Sequence, residues 1–283
     1  MKYMTKEWYE TDTDLHLLLR VSKKAETFSE EYFRKLYKQE EEEWLKLQKA
    51  ASEVKFEDIF PEDFSEVESE LYELDLSPSE IEAAKEEYIE ERERARLDFE
   101  ELPPFDEDAE RKNFKRRFNF SKRRLKEVLP DEVLQKVADI RVLALHRASA
   151  EVKKDITRFC KQNEKAVISA PKAYDKEFRK QFGSDAPAFA EKLNLHDCLV
   201  LSCRRKGNDV VLTLDNRGGF TNINTVTMKN CTVLKQDGRL HGAWCLYEEI
   251  YKAENQYEIH LLLLKNELID FIVLADNLEY KYD

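Results

Sequence analysis

Three adjacent residues, His196-Asp197-Cys198, set an imidazole, a carboxylate and a thiol side by side. A thiol beside an imidazole can become a thiolate nucleophile, so a hydrolase of unfamiliar type centred here is one reading. Adjacent strand residues point to opposite faces, which works against that pairing, and no recognisable oxyanion loop lies nearby. Asp12-x-Asp14-x-His16 alternates carboxylates and an imidazole but has no third element at a known metal-ligand spacing. The five histidines, at 16, 146, 196, 241 and 260, are therefore expected in structural roles. No catalytic residue, metal ligand or cofactor is assigned.

Charge offers two further surfaces. From Glu57 to Glu110 there are 23 acidic residues against 4 basic ones, a net of -19 within a chain of net -12. Glu86, Glu87, Glu90 and Glu91 lie in that segment, where a solvated helix face is the default. Such a face can bind a partner protein with a basic surface. The run Arg111–Lys126 holds nine cations and no acid, interleaved with Phe114, Phe118 and Phe120. Cations among aromatics suit single-stranded nucleic acid, and Arg116, Arg117, Arg123 and Arg124 would carry that contact. The plainer reading sends Phe114, Phe118, Leu125 and Leu129 to a core and leaves the cations solvated. Nucleic acid is thus the alternative partner, and a basic protein the leading one. In Trp244–Tyr251, alternation puts Tyr247, Glu249 and Tyr251 on one strand face, a candidate recognition surface because tyrosine is enriched at interfaces.

The elements that must position these groups follow from glycine and proline. All six glycines lie at or beyond Gly183 and all seven prolines at or before Pro187. A glycine-free stretch of this length suits helices, not turn-rich sheet. It also excludes a Walker or Rossmann phosphate loop, which needs glycine between strand and helix. Thr27-x-x-Glu30 predicts a helix over Phe28–Ala51, and Ser77-Pro78-x-Glu80 another through Glu100. Further helices are predicted at Asp106–Val128, Pro130–His146 and Ser149–Gln162, with short pieces at Asp175–Phe182 and Pro187–Leu193. Strands are predicted at Cys198–Arg205, Asp209–Asp215, Thr225–Lys235, Ala243–Lys252, Tyr257–Lys265, Leu268–Ala275 and Leu278–Tyr282. The expected fold is α+β: a charged helical region over 1–190, then an antiparallel β-sandwich or small barrel over 191–283.

The apolar share of 42% supports a core, and 16 Phe with 12 Tyr argue against disorder. Five cysteines, an odd number with no C-x-x-C spacing, read as buried free thiols of a reducing compartment. No apolar run approaches the roughly 18 residues of a membrane span. The expectation is a cytoplasmic protein with no membrane partner.

Two sets of motifs carry a resemblance. The opening Met1–Glu10 (MKYMTKEWYE) resembles the start of an uncharacterised Firmicute family known only as a domain of unknown function. Leu195–Leu201, Gly207–Asp215 and Trp244-x-Leu246-Tyr247-Glu248-Glu249-Ile250-Tyr251 look like its C-terminal half. The His-Asp strand opening and the Gly-Asn-Asp hairpin also resemble small β-domains of bacterial immunity proteins. The resemblance implies a bacterial cytoplasmic protein, with no known activity to carry over. The leading expectation is a non-enzymatic interaction protein, immunity-like or defence-associated, using its acidic helical surface.

Overall fold

The computed structural model describes residues 1–61, 64, 77–192 and 194–282. Part of the acidic segment therefore lies outside the described residues. The chain forms two compact units: one of Leu18–Asp155, the other of Met1–Leu17 with Ile156–Asp283. Along the chain, the last helix ends at Lys192 and the first strand of the large sheet begins at Leu199. The compact units divide elsewhere, because the N-terminal residues are hydrogen-bonded to the sheet region.

In the helical unit, a helix over Glu30–Ser52 starts at Ser29, whose hydroxyl accepts from the Tyr32 N–H at 3.2 Å. The cap is thus Ser29 and not Thr27. The helix over Pro78–Glu100, called the acidic helix below, begins with the expected capping box. Ser77 Oγ accepts from the Glu80 N–H, while the Glu80 carboxylate accepts from the Ser77 N–H at 2.8 Å. The basic helix, Glu107–Val128, is capped by Asp106 and buries Phe114, Phe118 and Leu125. Those rings meet the Glu30–Ser52 helix, with Tyr37 against Phe114 at 5.1 Å and against Phe118 at 5.2 Å. The stretch expected as one helix over Pro130–His146 is two short ones, Asp131–Leu134 and Ile140–Ala144. Asp139 interrupts it by capping the second helix through the Arg141 N–H, a role aspartate performs better than helix interior. Short strands β1 (Arg20–Val21) and β2 (Arg147–Ala148) pair in parallel.

The long helix Ala150–Phe182 runs through Pro171 and absorbs the two shorter helices expected there. Phe178 and Phe182 near its end join the core of the sheet. That sheet contains β3 (Leu199–Lys206), β4 (Asp209–Asp215), β5 (Ile223–Lys229), β6 (Thr232–Gln236), β7 (Trp244–Ala253), β8 (Gln256–Leu264), β9 (Leu268–Ala275) and β10 (Asn277–Tyr282). Its order is β10-β5-β4-β3-β7-β8-β9-β6, with antiparallel neighbours throughout. The single strand expected over Thr225–Lys235 is divided at Asn230, whose φ of 47° turns the chain. β5 then pairs with β4 and β10, and β6 lies at the far edge on β9. Cys198, Leu212, Ile250, Leu261, Phe271 and Val273 lie at the centre of the buried cluster. The fold is α+β, with a predominantly helical first part and a sheet-based C-terminal part.

Candidate binding site on the helical unit

The basic helix sorts its residues by angle. Phe114, Phe118 and Leu125 point inward, so positions 112, 116, 119, 123 and 126, on the other side at 100° per residue, face out, with 115 at the flank. Lys112, Lys115, Arg116, Arg123 and Lys126 on that stripe are exposed. Among the described residues Lys112, Lys115 and Lys126 have no ion-pair partner. Arg123 has Glu127 at 3.8 Å, and Arg116 donates to Asn113 Oδ1 at 3.1 Å. Arg111 is different: it is spent on Glu41 and Glu107, each at 2.7 Å.

A cavity of about 620 Å³ adjoins this stripe. Trp44 and Leu47 line it from the Glu30–Ser52 helix, and Phe114, Arg116, Arg117, Phe118, Phe120 and Ser121 from the basic helix. Leu145 and His146 close another side. His146 sits at φ 60°, a left-handed conformation that side chains rarely adopt, and its carbonyl accepts from the Arg20 N–H at 2.9 Å. The Arg117 guanidinium lies over the Trp44 ring at 5.0 Å, and Arg123 over Phe120 at 5.7 Å. Phe120 itself is 57% exposed. Glu40 faces the cavity but is held by Arg147 at 2.6 Å, whereas Glu43 is exposed. An apolar chamber with a few polar groups at its rim is the usual form of a ligand site.

Among the residues singled out from sequence, Arg116 and Arg117 line the cavity, Arg123 lies beside Phe120, and Arg124 is half-buried on the same helix. Trp44 and His146 were not foreseen. Each is brought to the cavity by tertiary packing, and no local pattern marks either as a site residue, although Trp44 falls at helical spacing with the apolar residues of its helix.

On the acidic helix, Glu86, Glu87, Glu90 and Glu91 are exposed and make no ion pair with a described residue. The other side of that helix is structural. Tyr88 Oη donates to the Pro61 carbonyl at 2.9 Å, Arg92 donates to the Phe60 carbonyl, and Arg92 and Arg96 lie over Phe56.

The strand face proposed for recognition is covered by the chain itself. Glu249 is fully buried and Tyr251 is 4% exposed. The Glu249 carboxylate accepts the backbone N–H groups of Lys2 (2.6 Å), Tyr3 (2.9 Å) and Met4 (2.7 Å), and the Tyr251 hydroxyl at 2.7 Å. Tyr247 packs its ring edge-on to Trp8 at 5.0 Å. A strand-face count cannot register a segment arriving from the far end of the sequence.

His196 and Asp197 lie close to each other at the half-exposed surface, whereas the Cys198 thiol is buried. Cys198 is fully buried in the sheet core, under Gly219, where a Cβ would stand 2.6 Å from its sulfur. Burial pushes its thiol pKa up to about 11, so it remains protonated. The His196 ring packs on Phe220 and Tyr247 and its Nδ1 contacts the Leu246 carbonyl, leaving Nε2 3.6 Å from Asp197. Among the described residues no three His, Cys, Asp or Glu side chains are grouped to hold a metal ion, and no helix is long and apolar enough to cross a membrane.

Comparison with known proteins gives one family. No curated protein and no solved structure matches the chain. Residues 105–271, which include the basic helix, the Leu145–His146 side of the cavity and most of the sheet, match the family model described as Protein of unknown function (DUF4085). The chain belongs to the DUF4085 family of proteins of unknown function.

Proposed function

We propose that this protein is a non-enzymatic interaction protein whose helical unit binds an anionic macromolecule along the basic helix. One observation carries this reading: Lys112, Lys115, Arg116, Arg123 and Lys126 share one exposed face, and most have no carboxylate partner. Unneutralised cations in a row attract polyanions and release counterions on binding, which makes the association salt-dependent. The candidate nucleophile, Cys198, is buried and protonated. Five free cysteines suit the cytoplasm.

A second reading places a basic protein partner on Glu86, Glu87, Glu90 and Glu91, as an immunity-like protein facing a basic toxin would do. It draws support from the exposure of all four carboxylates. The two readings part under charge reversal. Tagged protein is used for pull-down from a bacterial lysate at about 50 and 200 mM salt, with nuclease controls. Loss of the bound material in Arg116→Glu/Arg123→Glu, with retention in Glu86→Lys/Glu90→Lys, supports the basic helix. The reverse pattern supports the acidic one and overturns the first reading.

A further inference from the structure

The stripe alone would hold any polyanion, but the cavity beside it selects. Resting on the reading above, we propose that the helical unit binds single-stranded nucleic acid, with a base seated in the cavity and phosphates on the stripe. Arg116 belongs to both features: it is exposed on the stripe and lines the cavity. The walls offer Trp44 and the half-exposed Phe120, each already under an arginine. Aromatic and guanidinium planes are what an unstacked base packs against. The chamber's volume of about 620 Å³ is at the scale of small-ligand sites, ample for a base.

The carboxylates decide between anionic partners. Glu40 and Glu43 both line the cavity, so an acidic peptide would set its own carboxylates against them. A base brings exocyclic amino hydrogens, which Glu43 can accept, while its phosphates remain outside over Lys112, Lys115 and Arg123. Most of the cavity's lining comes from two helices, Glu30–Ser52 and Glu107–Val128, so among the described residues no long strand beside it is available for a peptide to pair with.

The test is fluorescence anisotropy on the full chain with dye-labelled strands of about 16 nucleotides. It compares a mixed-sequence single strand, an abasic strand of equal length, a duplex and polyglutamate, at about 50 and 200 mM salt. The single strand is expected to bind tightest, with affinity falling as salt rises, and the abasic strand at least about tenfold weaker. Phe120→Ala, a change at the surface, is expected to weaken the single strand about tenfold and to leave the abasic strand unchanged. Ultraviolet cross-linking of the bound strand should fall on peptides containing Trp44 or Phe120. Equal affinity for the abasic strand, or an unaffected Phe120→Ala, overturns base recognition while leaving the basic helix as a polyanion site. Tighter binding of polyglutamate overturns it in favour of an acidic peptide. No binding of any polyanion overturns this proposal and the preceding reading together.

Discussion

The indole Nε1 of Trp8 donates to the carbonyl oxygen of Val167 at 3.0 Å. Val167 lies four residues before Pro171, inside the long helix. A helical proline has no N–H, so the carbonyl at i−4 loses its intrahelical donor. Trp8 supplies the missing donor from a remote point of the sequence. The expected consequence is coupling. Trp8→Phe should cost about 0.5–1.5 kcal/mol by removing the donor from a half-buried acceptor. In a Pro171→Ala background the introduced alanine brings a backbone N–H that can take over, so the same change should cost measurably less. Urea midpoints for the four proteins of this cycle measure it, and strict additivity would refute the assignment.

Glu249 anchors the opening residues by accepting three successive backbone N–H groups and a tyrosine hydroxyl. Glu249→Ala should lose about 3 kcal/mol, because two buried and two half-buried donors lose their acceptor at once. Hydrogen exchange at Lys2, Tyr3 and Met4 should accelerate most. Unchanged protection there would show that other contacts hold the segment.

Glu248 should make stability depend on pH. Its Oε2 is buried without a hydrogen-bond partner, although part of the residue reaches solvent. Burial raises its pKa from 4.5 to about 8. A carboxyl raised in the folded state binds its proton more tightly there than when unfolded. Its contribution to stability is therefore complete below about pH 4.5 and is lost as pH rises toward 8. Glu248→Gln is expected to flatten this decline and to be the more stable protein at about pH 9. Parallel pH–stability curves for the two proteins would remove Glu248 as the cause.

The thiols should be inert in the native state. Cys160, Cys198, Cys231 and Cys245 are buried, and burial raises the pKa of Cys198 and Cys231 to about 11. Only Cys203 is half-buried. Titration with a chromogenic disulfide at neutral pH should find at most one accessible thiol before denaturant and five after. Rapid native labelling of Cys198 would reopen the nucleophile reading.

Local chemistry was legible from the chain alone wherever a few neighbouring residues decide the outcome. Ser77-Pro78-x-Glu80 specified a helix start, because its capping groups are only three residues apart. Asp209–Asp215 and Leu268–Ala275 read as strands from their β-branched and apolar side chains and the turns that bound them. The inward turn of Phe114, Phe118 and Leu125 followed from helical spacing. Long-range pairings stayed hidden. Nothing near Glu249 announces that Lys2, Tyr3 and Met4 will satisfy its carboxylate, so an interior acceptor looked like a surface acid. Trp44 and His146 meet the basic helix only once packed, since a cavity is a property of surfaces that fail to fill space together. Composition placed cations, acids and rings on the chain, and tertiary packing chose which of them remained open to a partner.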